Sequence, residues 1–172
     1  PKGLQRTLHF KAGLETPLET CEQIIENLKR GYPGLSRWQD TVKRQAAARH
    51  YSETWLGRRR YLPGITSQDW GKRSFAERCA LNTPIQGTAA DILKLALGRL
   101  LQGLPERPWL RPLLQIHDEL VFELPETRLE EAIRFVRGCM EAQPFPAFDV
   151  PILAEAAAGE NFGDMAEVDG CA

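Results

Sequence analysis

The stretch at residues 113–124, LLQIHDELVFEL, constrains the fold more than any other part of the chain, because two apolar runs flank the polar triplet His117, Asp118 and Glu119. Leu114 and Ile116 before the triplet, and Leu120, Phe122 and Leu124 after it, have the period-two spacing of half-buried strands. The triplet falls where the chain would reverse, so the pattern predicts a β-hairpin. Adjacent residues of a regular strand point to opposite faces, and neighbouring carboxylates approach one cation only where the backbone turns sharply. Two acids at a hairpin tip therefore make a hard, oxygen-rich site suited to Mg²⁺ or Mn²⁺, ions commonly shared with substrate phosphates. Polar turns between strands are also ordinary, and Asp118 and Glu119 taken alone fit solvated turn residues as well.

A chain of 172 residues suits one domain with a substantial core, or one piece of a larger one. No apolar run approaches the roughly 20 residues needed to span a bilayer, and the N-terminus lacks a basic-then-apolar signal pattern. A cytoplasmic address with no membrane partner is expected. Cys21, Cys79, Cys139 and Cys171 lie far apart, without the paired spacing of a zinc site or a disulfide framework, so reduced thiols are expected. The first residue is Pro1 rather than an initiator methionine, which suggests a fragment. Charge is distributed unevenly: residues 43–99 carry 11 Lys and Arg against 4 Asp and Glu, whereas residues 100–172 carry 5 against 14. The middle segment suits a polyanion, and the acidic end needs metal ions to approach one or faces away. Solvated helix faces account for such runs equally well, above all in the acidic helix after Leu124.

In chain order, Leu4 and Leu8 suggest a helix already under way. Thr16, Pro17 and Glu19 read as an N-cap, first helical residue and capping-box partner, with Cys21, Ile24, Ile25 and Leu28 as the apolar face. Gly31, Pro33 and Gly34 end that helix, and a second is expected over 35–50. Two short strands turn at Gly57 within 51–62. Arg58, Arg59 and Arg60 follow the turn; three adjacent arginines on extended backbone cannot all point one way, so at least one faces the core side or pairs with an acid while others are free for phosphates or solvent. A helix over 72–101 contains Pro84, which predicts a kink or two abutting helices. On it, Arg78, Asn82 and Gln86 recur at i, i+4 and i+8, a polar row beside small residues 87–90 that suits a groove reader or an exposed face. An acidic surface helix over 125–140 and a strand over 150–157 complete an α+β pattern, in which helices cover an antiparallel sheet.

Two segments, RCALNTPIQGTAADILKLAL and LLQIHDELVFELPE, closely resemble the C-terminal part of the polymerase domain of family A DNA polymerases, the bacterial DNA polymerase I group. The upstream ETWLGRRRYLP and RGYPGL and the closing GENFGDM extend the likeness over nearly the whole chain. The resemblance implies a helical end of the fingers subdomain at 1–50 and a palm subdomain at 51–172, whose antiparallel sheet bears the catalytic hairpin beside a long kinked helix. It implies a DNA-directed DNA polymerase, adding deoxynucleoside triphosphates to the primer 3′ end of primer-template DNA in replication and repair through a two-metal Mg²⁺ site, with Mn²⁺ as a substitute. Asp118 then corresponds to a ligand of the catalytic metals, Glu119 to a supporting carboxylate and His117 to a contact with the primer terminus. Asn82 and Gln86, helped by Arg78, correspond to minor-groove contacts. The resemblance also requires a second metal-binding aspartate and a nucleotide-binding fingers helix upstream of anything matched, so the chain alone is expected to be inactive and to work with an upstream polymerase segment. The competing expectation is a non-catalytic DNA-binding or structural remnant of a palm.

Overall fold

The computed structural model describes residues 1–168, so Cys171 lies outside the described residues. Two compact units are present: Pro1–Glu53 with Gly57–Pro84, and Thr54–Leu56 with the chain from Ile85 onward.

In the first unit, helices α1 (Lys2–Ala12), α2 (Leu18–Gly31) and α3 (Pro33–Arg49) are followed by the antiparallel strands β1 (Tyr51–Glu53) and β2 (Arg59–Tyr61) and by α4 (Trp70–Asn82). The expected capping box at Thr16 does not form: α2 begins one residue after Pro17 and has no side-chain cap, while the Thr16 carbonyl accepts a hydrogen bond from Gln5 Nε2 at 2.9 Å. Helix α3 starts at Pro33 rather than Leu35, since proline is well placed where no intrahelical N–H bond is needed. It closes on His50 in the left-handed region, φ 60°, whose N–H reaches Ala46 O. Helix α4 has a true cap, Asp69, whose carboxylate accepts from Lys72 N at 3.1 Å. Ala46, Leu62, Ile65, Ala76, Cys79 and Ala80 form the core of this unit, with Val42 and Ala47 against it. These are mostly small side chains, and small side chains allow α3, α4 and β1 to approach closely.

Pro84 interrupts the helical run as its chemistry requires. Helix α4 stops at Asn82, a π-helical turn covers Thr83–Gly87, and α5 resumes over Thr88–Gly103. Proline has no N–H to offer the Ala80 carbonyl four residues earlier. That buried carbonyl accepts instead from Ser52 Oγ on β1 at 2.9 Å, and Thr83 Oγ1 bonds Cys79 O at 2.8 Å. The one carbonyl that the proline deprives of its helical donor, Ala80 O, is thus satisfied from a side chain, while Cys79 O also keeps the Thr83 N–H.

The second unit packs α5 against α6 (Leu129–Glu141). Ala96, Leu100, Ala132 and Ile133 are buried, on the faces expected from helical spacing. Gly103 is required where α5 ends, because a Cβ there would come within 2.5 Å of the Phe135 ring. Arg99 ties the two helices together by donating to Cys139 O at 3.2 Å, Ala142 O at 2.9 Å and Gln143 O at 2.8 Å, carbonyls that the end of α6 leaves without intrahelical partners.

Strands β3 (Arg111–Ile116) and β4 (Glu119–Glu123) form the expected hairpin, but not as part of one sheet covered by helices. Among the described residues there are three separate two-stranded antiparallel pairs: β1–β2, β3–β4, and the two-residue strands β5 (Ala157–Ala158) and β6 (Ala166–Glu167). Of the strand expected over 150–157 only Ala157 is in a strand, as the first residue of β5. Pro151 cannot donate to a ladder, and the Ala154 N–H is taken by the Glu141 carboxylate at 2.8 Å. Each pair is joined by a local reversal, and among the described residues no third strand lies on β3, whose residues are all exposed.

Candidate active-site hairpin and nucleic-acid face

Ile116 pairs with Glu119, which leaves His117 and Asp118 as a two-residue turn. Positive φ occurs at His117, 54°, and not at Asp118, which excludes a type I′ turn, where both central residues are positive. A left-handed conformation is costly for a residue with a Cβ. The His117 carbonyl is held by Gln115 Nε2 at 2.7 Å, a hydrogen bond within the same hairpin. Asp118 and Glu119 follow directly, one in the turn and one at the first position of β4, and both are solvent-exposed. Among the described residues neither carboxylate has a side-chain hydrogen-bond or ion-pair partner, and no group of three or more His, Cys, Asp and Glu is placed to hold a metal. The tip therefore supplies hard oxygen donors suited to a divalent cation, but not a complete coordination shell.

The register decides which apolar residues of the two strands share a face. Leu114 pairs with Val121, Gln115 with Leu120 and Ile116 with Glu119, and an irregularity between Pro112 and Leu114 leaves Leu113 as an extra residue. Directly paired residues share a face, so Leu114 and Ile116 lie with Val121, opposite Leu120 and Phe122 rather than beside them. A two-residue turn dictates this parity. Both faces of the hairpin are consequently apolar. On β4, Leu120, Val121 and Phe122 are half-buried, whereas Leu113 and Leu114 on β3 are each 55% exposed.

The candidate arginines Arg58, Arg59, Arg60 and Arg78 all belong to the first unit. Arg58 lies in the β1–β2 turn beside Gly57, whose φ of 82° suits glycine, and Arg59 and Arg60 stand on β2. Arg59 approaches Glu53 at 3.6 Å and lies over the Tyr51 ring at 4.6 Å, so one of the three arginines does pair with an acid. Arg60 is paired in register with Ser52 and is exposed. On α4, Arg78 and Asn82 are one turn apart and exposed, with Arg78 Nη1 donating to Ser74 Oγ at 2.8 Å. Gln86, also exposed, falls in the π-helical turn and in the second unit, so the α-helical repeat used to align it with the other two ends at Asn82.

Sequence reasoning missed Asp91. Its buried carboxylate accepts from Thr54 Oγ1 at 2.6 Å, and Thr88 Oγ1, one turn earlier, accepts from Trp55 N at 3.0 Å. Thr88 and Asp91 thus face the packed loop, while Ala89 and Ala90, of the small-residue run at 87–90, are exposed. The readable signal was an acid at i+3 from a threonine in an otherwise apolar helix. Burial pushes the Cys139 thiol pKa up, an effect that Arg99 and Arg107 oppose.

Comparison with known proteins places this geometry in a lineage. The sequence profile of DNA polymerase family A matches residues 3–164. DNA polymerase I of Bacillus caldotenax is 47% identical over 120 residues, which are 69% of this chain and 14% of that protein. The thermostable DNA polymerase I of Thermus aquaticus is 39% identical over 149 residues, 87% of this chain and 18% of that one. Among solved structures, the POL domain of Pol1 from M. smegmatis, in complex with DNA primer-template and dNTP, superposes with a TM-score of 0.74 at 36% identity, over 87% of this chain and 28% of that chain. The chain thus spans less than a fifth of the length of these curated relatives.

Proposed function

Since the chain belongs to DNA polymerase family A, we propose that it forms the C-terminal fingers and palm portion of a DNA-directed DNA polymerase that extends a primer 3′ end with deoxynucleotides. On this reading residues 1–50 are the helical end of the fingers and residues 51–172 belong to the palm. The observation that carries it is the hairpin tip: two exposed carboxylates, free of competing cationic side chains among the described residues, stand on a turn held by Gln115.

Asp118 would be the ligand of divalent metal, with Glu119 in support, and His117 would contact the primer terminus. Mg²⁺, or Mn²⁺ in its place, supplies charge neutralisation at the triphosphate and a lowered pKa of the primer hydroxyl. This chain's own groups bind and orient. Asn82 and Gln86 would hydrogen-bond acceptors in the minor groove, which lie at similar positions in all correct base pairs, so they sense pair shape without reading sequence. Arg78, whose guanidinium is steadied by Ser74, would assist on α4. Arg58, Arg59 and Arg60 would meet backbone phosphates, in keeping with the positive surplus of residues 43–99.

The remaining metal ligands and the nucleotide-binding helix would come from an upstream polymerase segment. The two-sided apolar hairpin supports this, because an isolated two-stranded hairpin is only marginally stable in water and β3 is uncovered. Primer extension with Mg²⁺ tests the reading. The chain alone should incorporate no nucleotide, and the same chain joined to the upstream segment should extend the primer. Extension by the chain alone would disprove the need for other ligands. Failure of the joined protein, with its fold intact, would remove the polymerase assignment.

A further inference from the structure

The outer face of the β1–β2 hairpin holds a tyrosine pair that the proposed polymerase chemistry does not use. The register pairs Tyr51 with Tyr61, Ser52 with Arg60 and Glu53 with Arg59. Ser52 is buried and donates to Ala80 O, so its side of the hairpin is the packed one. Tyr51, Tyr61, Glu53 and Arg59 therefore share the opposite face. There the two tyrosine rings meet edge to face at 6.0 Å, and the Arg59 guanidinium lies 4.6 Å from the Tyr51 ring centre. Tyr61 is 70% exposed. Its ring is thus fixed in orientation by one neighbour and remains open to solvent. Arg49 and Arg59 both approach the single acid Glu53, at 3.4 and 3.6 Å, so that carboxylate does not cancel both. An oriented aromatic ring beside arginines is the arrangement that holds unpaired nucleic acid: the ring stacks a base of any identity while the cations take the backbone.

The geometry points to Tyr61, with Tyr51 and Arg59 behind it, as a stacking site for an unpaired base of a single-stranded DNA overhang. This rests on the reading that the chain binds primer-template DNA, and adds that the strand beyond the duplex is held on the β1–β2 face. The aromatic ring, rather than charge alone, gives the site its preference for unpaired strands, since a base inside a duplex offers no free face.

Binding of the full 172-residue chain to fluorescein-labelled DNA, measured by anisotropy, tests it with two probes of equal duplex length, one blunt and one with a 5′ single-stranded extension. The wild-type chain should bind the overhang probe more tightly. Tyr61→Leu, which keeps an apolar side chain on the strand, should lose about 5- to 100-fold for the overhang probe and leave the blunt probe unchanged, as expected for loss of one stacked base. Tyr61→Phe should retain the preference. Circular dichroism checks that each variant is folded. Equal losses on both probes, no loss on either, a wild-type chain indifferent to the overhang, or a leucine variant that keeps the preference would each overturn the stacking site. A wild-type chain that binds neither probe would instead overturn the DNA-binding reading on which it rests.

Discussion

Ser52→Ala should destabilise the first unit through a carbonyl 28 residues away in sequence but adjacent in space. Ser52 Oγ donates to Ala80 O at 2.9 Å, and both residues are buried. Ala80 O would ordinarily accept from the N–H four residues on, but Pro84 occupies that position. Removing the hydroxyl therefore leaves a buried acceptor without its donor, which costs about 1–3 kcal/mol. The hydrogen bond also fastens β1 to α4, so the loss should appear in cooperative unfolding rather than as local fraying. Urea denaturation followed by circular dichroism should give a lower midpoint with an unchanged slope.

A double-mutant cycle separates this cause from simple loss of packing. Pro84→Ala restores an N–H within reach of the Ala80 carbonyl, so Ser52→Ala should cost clearly less in that background than in the wild type. The difference is the coupling between two donors, the Ser52 hydroxyl and the restored N–H at residue 84, that would serve the same Ala80 carbonyl. Costs that add within about 0.5 kcal/mol would refute the reasoning, because distant independent sites behave that way. A cost below about 0.5 kcal/mol for Ser52→Ala alone would show that the carbonyl finds another donor.

In the complete polymerase, Asp118→Ala should abolish nucleotide addition while leaving primer-template affinity near normal, and Glu119→Ala should be milder; single-turnover kinetics beside binding titrations would reveal a reversed ranking. Asn82→Ala and Gln86→Ala should each slow extension several-fold without base preference, since one hydrogen bond is worth about 0.5–1.5 kcal/mol; a template-sequence dependence of that loss would count against minor-groove sensing. Substituting Arg60 with alanine should flatten the slope of log affinity against log salt by about one unit, and an unchanged slope would return it to a merely solvated role. Cys139, its thiol pKa raised by burial, should stay protonated to higher pH than a free thiol and react slowly with iodoacetamide near neutrality, with labelling that rises only in more alkaline buffer; mass spectrometry of the labelled protein would expose a fast-reacting Cys139.

Local chemistry was legible where one residue dictates the outcome. Pro84 demanded an interruption of the helix and received one, and Gly57 marked the β1–β2 turn. The acidic surface helix expected over 125–140 is present as α6, with Ala132 and Ile133 on its buried face. Long-range partners were not legible. Thr54 and Asp91 are 37 residues apart, as Ser52 and Ala80 are 28 apart, and nothing in either local pattern names the other. Thr16 had the composition of a cap, yet Pro17 precedes the first helical residue and no side-chain cap forms, so local propensity was overridden. The strand expected over 150–157 survives only at Ala157 for a related reason: an apolar run becomes a strand only where a neighbour offers a ladder, as β6 does for β5.

The hairpin shows how far a motif can be read and where its reading turns on parity. The polar triplet located the turn, but the turn's length decided which side chains share a face, and two residues rather than three set Leu114 and Ile116 against Val121 and Glu119. Apolar residues then occupy both parities of β3 and β4, the composition of strands covered on two sides rather than one. Within the described chain β4 is half-buried and β3 is not, so the sequence asks for more cover than the described residues give. If the upstream polymerase segment provides that cover, it does two things at once: it buries Leu113 and Leu114, and it fixes the direction in which Asp118 and Glu119 point. Precision at the metal site would then depend on apolar packing several residues away from the carboxylates, since a tip on an uncovered hairpin is free to sway.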